Sequence, residues 1–177
     1  MKKTLLALFM CCMCFSFSSC DEDDLPPISF TVGVDQIENI PVHLDQTNGE
    51  RMTFSFKNTL TINNEDTKDY INKIKNVQIN KLTYKVIAFS GDPLGDVDAA
   101  FMVADQISLE NAFVVKTAAD DQIIYEITEV AELNRIADAL KSGQKVNIIY
   151  SGSALCNDDD MDFIIEVTMA TRVTIDP

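Results

Sequence analysis

The sequence has no tryptophan, a single histidine and half as many basic as acidic residues. Without tryptophan, the usual exposed indole platform for stacking sugars is missing. The four tyrosines, Tyr70, Tyr84, Tyr125 and Tyr150, lie in apolar patterns that core packing explains. With 14 Lys and Arg against 28 Asp and Glu, the formal charge is −14. That balance argues against nucleic acid and against charge-driven binding to anionic membranes. It describes a solvated acidic surface. Cysteine is scarce once position is considered. Cys11, Cys12 and Cys14 fall in the opening apolar run, and only Cys20 and Cys156 follow it. Residues 28–177 contain Cys156 alone and can form no internal disulfide, so a domain of about 150 residues must be held by one hydrophobic core. After Thr4–Phe17 no apolar run is long enough to span a bilayer, and that run itself is short of the required ~20 residues.

Recognisable chemistry is also absent. His43 sits in IPVHLDQ and is expected to face away from Val42 and Leu44 on a strand. A catalytic nucleophile needs a base within hydrogen-bond reach, yet no G-x-S-x-G elbow occurs, and YSGSALC around Ser151 and Ser153 lacks that spacing. One histidine and one later thiol do not make a histidine–cysteine zinc site. Cys156 precedes Asp158, Asp159 and Asp160, which disfavour a thiolate, so an inert buried thiol is expected. Glycine-rich phosphate loops are missing. Twenty-eight acids permit many carboxylate pairs, and none has meaning as a glycosidase pair without geometry. The expectation is a protein that is not an enzyme.

What is present begins at the N-terminus. Lys2 and Lys3, an uncharged apolar run and small Ser18 and Ser19 predict a signal peptide over 1–19. Phe17-Ser18-Ser19-Cys20 resembles a bacterial lipobox, with Phe where Leu is commoner. The resemblance implies that Cys20 becomes the acylated, palmitate-bearing N-terminus. Asp21, Glu22, Asp23 and Asp24 resemble the surface-export signal of Bacteroidota-type lipoproteins. Together these imply anchoring in the bacterial outer membrane, facing the exterior. Two or more acyl chains anchor stably where one does not. Residues 20–27, ending Leu25-Pro26-Pro27, read as a tether stiffened by proline, and 28–177 as one domain.

Period-two alternation dominates that domain. Met52, Phe54, Phe56, Leu60 and Ile62 share one face; so do Met161, Phe163, Ile165, Val167, Met169, Val173 and Ile175. One-sided strands belong to antiparallel sheets. In VQINKLTYKVIAF the phase slips between Ile79 and Leu82, predicting a β-bulge at Asn80-Lys81. Further strands are expected at 30–34, 40–44, 99–104, 112–116, 123–127 and 146–150, with Asn48-Gly49 as a hairpin turn. Thr128 as N-cap, a stripe of Val130, Leu133, Ile136, Ala137 and Leu140, and Gly143 beyond the last turn predict one helix. A shorter one is predicted over 65–73. The expected fold is all-β with minor α: an antiparallel β-sandwich of immunoglobulin-like type with two short helices. A barrel is the rival architecture, and the strand–helix–strand unit from Ile123 to Tyr150 leaves a parallel pair open. The body is similar in general pattern to small sandwich lipoproteins of the same bacteria.

Two loops gather oxygen ligands: Asp158, Asp160 and Asp162 in NDDDMD, and Asp92, Asp96 and Asp98 in GDPLGDVD. Such ligands suit Ca²⁺, although neither loop matches an EF-hand. Asp and Asn are also turn formers, and the turn reading outweighs the ion site. The functional expectation is a non-enzymatic binding or scaffolding lipoprotein, with the membrane reached through lipid and an unidentified protein or glycan as partner. An adhesin or fimbrial-type subunit pairing strands between chains is an alternative. A hydrolase using clustered carboxylates is a further one.

Overall fold

A computed structural model describes residues 29–176. The predicted signal peptide, the expected lipidation site Cys20, the acids Asp21, Glu22, Asp23 and Asp24, and the expected tether lie outside the described residues. Among the described residues eight strands are present: β1 (Phe30–Leu44), β2 (Met52–Thr61), β3 (Ile74–Gly91), β4 (Asp96–Val103), β5 (Gln106–Val114), β6 (Ile124–Glu126), β7 (Lys145–Leu155) and β8 (Met161–Ile175). Helix α1 (Val115–Asp120) precedes β6 and α2 (Val130–Gly143) follows it; Lys68–Lys73 forms a 3-10 helix. Among the described residues, no helix is long and apolar enough to cross a membrane.

The strands make two four-stranded antiparallel sheets, ordered β1-β8-β3-β6 and β2-β7-β4-β5. Their inward faces meet as a sandwich, not a closed barrel. The order has a simple logic: β1 pairs β8, β2 pairs β7, β3 pairs β6 and β4 pairs β5. One long antiparallel ribbon, with β4–β5 at its tip, is rolled so that successive pairs alternate between sheets. That is a jelly roll. It corrects the immunoglobulin-like expectation, in which the A, B, E and D strands share one sheet and C, F and G the other. Alternation reveals which face is buried, but not which of two distant strands is its neighbour.

The same register settles other expectations. Asn48 and Gly49 do turn the chain, both with positive φ (52° and 93°), and the amide of Glu50 donates to the Thr47 carbonyl at 3.2 Å. The turn is no hairpin, however, because β1 and β2 belong to opposite sheets. The segments 30–34 and 40–44 are one continuous strand, since the polar residues between them stay paired to β8. β6 and β7 lie in different sheets, so α2 crosses between layers and no parallel pair arises. The predicted strand 112–116 stops at Val114, where α1 begins and buries Val115, Ala118 and Ala119. Six residues are too few for helical periodicity to stand out.

The strongest pattern holds residue by residue. In β8 every odd residue from Met161 to Ile175 is buried and no even one is, and β8 lies between β1 and β3, paired on both sides. The predicted bulge is present: the β3–β8 register shifts between Ile79 and Lys81. A second shift, between Ile87 and Ser90, sets Ala88 and Phe89 against the single Phe163, with Ala88 at φ 54°. In α2 the buried residues are Ile136, Ala137 and Leu140, whereas Val130 is exposed. Glu129 occupies the N-cap position without a side-chain bond, displacing Thr128. Gln144, not Gly143, takes the left-handed C-cap at φ 61°. The β1–β2 side of the sandwich is laced by polar side chains: Thr61 N–H donates to Gln36 Oε1 at 2.9 Å, and Asn58 Nδ2 donates to the Asn39 carbonyl at 3.0 Å.

Tyr84, Phe101, Tyr150 and Phe163 fill the middle of the core, with Tyr84 and Phe101 ring centroids 5.1 Å apart. Tyr84 Oη receives a hydrogen bond from Asn111 at 2.9 Å. Among the described residues, nothing bonds to the buried Tyr150 hydroxyl. A buried unpaired hydroxyl costs about 1–3 kcal/mol. Tyr150→Phe is therefore expected to hold or raise the melting temperature measured by circular dichroism. A fall of several degrees would instead point to a buried water bonded there.

Candidate functional site

The loops β1–β2, β3–β4 and β7–β8 meet at one end of the sandwich, where Leu44, Gly91 and Met161 stand side by side. Two of their acids, Asp92 and Asp160, accept from backbone amides. Asp92, 2% exposed, is the central knot. Its Oδ1 accepts from the Leu94 amide at 2.9 Å; its Oδ2 accepts from the amides of Asn157 at 2.7 Å and Asp158 at 3.2 Å. Burial alone would raise its pKa, but these amides outweigh it and hold the carboxyl below its ordinary value. Asp92 N–H in turn donates to the Asp160 carbonyl at 3.3 Å.

Thr47 ties the β1–β2 loop to the same place. Its amide donates to the Cys156 carbonyl at 2.7 Å, and the Cys156 amide donates to Thr47 Oγ1 at 3.1 Å. Gly49 N–H reaches Asn157 Oδ1 at 2.9 Å, and Gln46 N–H reaches Asp160 Oδ1 at 2.8 Å. Cys156 is fully buried with its thiol donating to the Asp45 carbonyl at 3.1 Å. Burial first, then the charges of Asp92, Asp160 and Asp45, push that thiol's pKa up. It is an inert structural group.

On this frame stands His43. Val42 and Leu44 are buried and His43 is exposed, as strand alternation requires. It is the register partner of Asp162, and Nδ1 lies 2.8 Å from Asp162 Oδ1. Nε2 lies 3.4 Å from Asp45 Oδ1. The bond to Asp162 and its charge, followed by Asp45, raise the His43 pKa. One ligand atom each from His43, Asp45 and Asp160 fall within 4.8 Å of one another. A groove of about 430 Å³, lined by Pro41, His43, Phe56, Ala88, Asp162 and Ile164, opens beside them.

The six acids singled out as Ca²⁺ ligands do not converge. Asp92 is committed to loop amides. Asp96 pairs with Arg51 at 2.6 Å, while Arg51 Nε also donates to Ser153 at 3.0 Å. Asp98 is exposed on the outer face of β4, and Asp158 is exposed on its loop. Of the six, Asp160 and Asp162 each bring a carboxylate near His43. Sequence reasoning missed Asp45 and set His43 aside as a solvated strand residue. The two-residue spacings His43-x-Asp45 and Asp160-x-Asp162 were visible, but a register joining residues 119 apart was not.

No family model matches the chain, and no curated protein does. Among solved structures it is similar to a chain from turnip yellow mosaic virus, at 13% identity and a TM-score of 0.40, over 84% of this chain and 95% of that one. It is also similar to a chain from Desmodium yellow mottle tymovirus, at 10% identity and a TM-score of 0.35, over 80% and 82% respectively.

Proposed function

We propose that the protein is a lipid-anchored, outward-facing binding module that presents its acidic loop end to a protein or glycan partner and performs no catalysis. The observation that supports this best is the polarity of β1. Its first residue, Phe30, pairs with Ile175, and Ser29 Oγ donates to Asp176 at 2.9 Å. Its last residue, Leu44, pairs with Met161 at the acidic loops. Fifteen residues of strand span roughly 45 Å. Residue 29, where a tether from Cys20 would join, stands at one end, and the loops stand at the other. The histidine at that end faces carboxylates: among the described residues His43 engages Asp162 and Asp45, a polar surface that suits binding.

Cys20→Ala tests the anchor. The variant is expected to lose labelled palmitate and membrane retention while melting at the wild-type temperature, because Cys20 precedes the sandwich. Continued palmitate uptake would refute the lipidation. Protease added to intact cells is expected to degrade the wild-type protein. Protection until lysis would remove the outward-facing claim.

A further inference from the structure

We propose that His43, Asp45 and Asp160 form a binding site for a divalent transition-metal ion, Zn²⁺ above others, with Asp162 as the positioning residue behind the imidazole. The inference goes beyond the module reading and does not depend on the lipid anchor. Four observations carry it. The donor atoms of the three residues already lie within 4.8 Å. A tetrahedral ion bound about 2.0–2.2 Å from each holds them roughly 3.3–3.6 Å apart, a closure that exposed side chains reach by rotating inward. In the neutral imidazole, a 2.8 Å bond from Nδ1–H to Asp162 leaves Nε2 as the lone-pair nitrogen, turned toward Asp45. A carboxylate behind one ring nitrogen is how metal-bound imidazoles are oriented.

The charge balance agrees. Among the described residues, no Lys or Arg pairs with Asp45, Asp160 or Asp162, so three carboxylates surround one imidazole. The backbone is also set in advance: the Asp45 carbonyl accepts the Cys156 thiol, and the Asp160 carbonyl accepts the Asp92 amide. Imidazole with carboxylates suits zinc, whereas calcium takes oxygen ligands. Exposure leaves the remaining coordination positions to water or a partner's side chain.

Calorimetric titration of the intact protein with ZnCl₂, MnCl₂ and CaCl₂ separates the outcomes. Wild type is expected to bind one Zn²⁺, more tightly than Ca²⁺. His43→Gln should weaken Zn²⁺ at least tenfold, Asp162→Ala about 10- to 100-fold, and Asp98→Asn not at all. The Nε2 ¹⁵N resonance of His43 should move on zinc addition while Asp98→Asn leaves that shift intact. Absence of zinc binding, or equal affinity in His43→Gln, overturns the site. Calcium binding tighter than zinc and indifferent to His43→Gln would assign the cation to the acidic loops alone. Undiminished affinity in Asp162→Ala would remove its positioning role.

Discussion

Gly91→Ala is expected to destabilise the domain by about 3–5 kcal/mol. Gly91 ends β3 with φ at +109°, a conformation that an L side chain adopts only under strain. A Cβ there would fall 1.9 Å from the Asp160 carbonyl oxygen and 2.9 Å from Met161 Cα. Both obstacles are backbone, so no side chain can rotate out of the way. Either β3 or the β7–β8 loop must move, and with it the Asp92 N–H to Asp160 bond. Urea denaturation at neutral pH measures the loss, and the melting temperature should fall by roughly 10 °C. A change under 1 kcal/mol would mean that the strand end yields freely. Gly49, with nothing near its missing Cβ, is the comparison: Gly49→Ala carries only the left-handed backbone cost.

Asp92→Ala is expected to cost about 2–4 kcal/mol near neutral pH. The mutation leaves the amides of Leu94, Asn157 and Asp158 without their acceptor. Its effect should depend on pH in a defined direction. The folded pKa of Asp92 is lowered: burial pushes it up, and the amides more than reverse that. A carboxylate of this kind adds stability that is fully present above the unfolded value, near 3.9. The contribution disappears as pH falls through the lower folded value. The stability gap between wild type and variant, followed by urea titration at several pH values, should be constant from pH 7 to about 5 and narrow in stronger acid. A gap that widens on acidification would contradict the assignment of Asp92 as the ionised staple of these loops.

These two residues show where sequence reading reaches its limit. The sheet faces were legible because burial alternates with period two: β8 follows the pattern without one exception. The bulge at Asn80 was legible for the same reason, since a phase slip within one strand is local information. Strand order was not local. The partner of β1 lies at the other end of the chain, and a jelly roll and an immunoglobulin sandwich can present the same alternating strands. The site suffered similarly. Asp92 looked like any turn-forming aspartate, and only the fold shows its carboxylate buried among loop amides. His43 looked like a solvated strand residue, and Asp162 like one oxygen ligand of an acidic loop. Their meeting is a property of register, not of either segment. Gln144 and Ala88 hold positive φ where glycine would be expected, so the chain placed the first bend one residue early, at Gly143, and gave no sign of the second.

The pairing of the first strand with the last also has a mechanical consequence. A pull entering at Ser29 and resisted by a partner at the Asp160 loop runs along β1 rather than across it. All fifteen residue pairs between β1 and β8 then carry the load together, in shear, and must slide before any one separates. The same ladder pulled sideways from residue 29 would open pair by pair, like a zipper, at far lower force. A domain fixed at one end and gripped at the other is loaded along its strong axis.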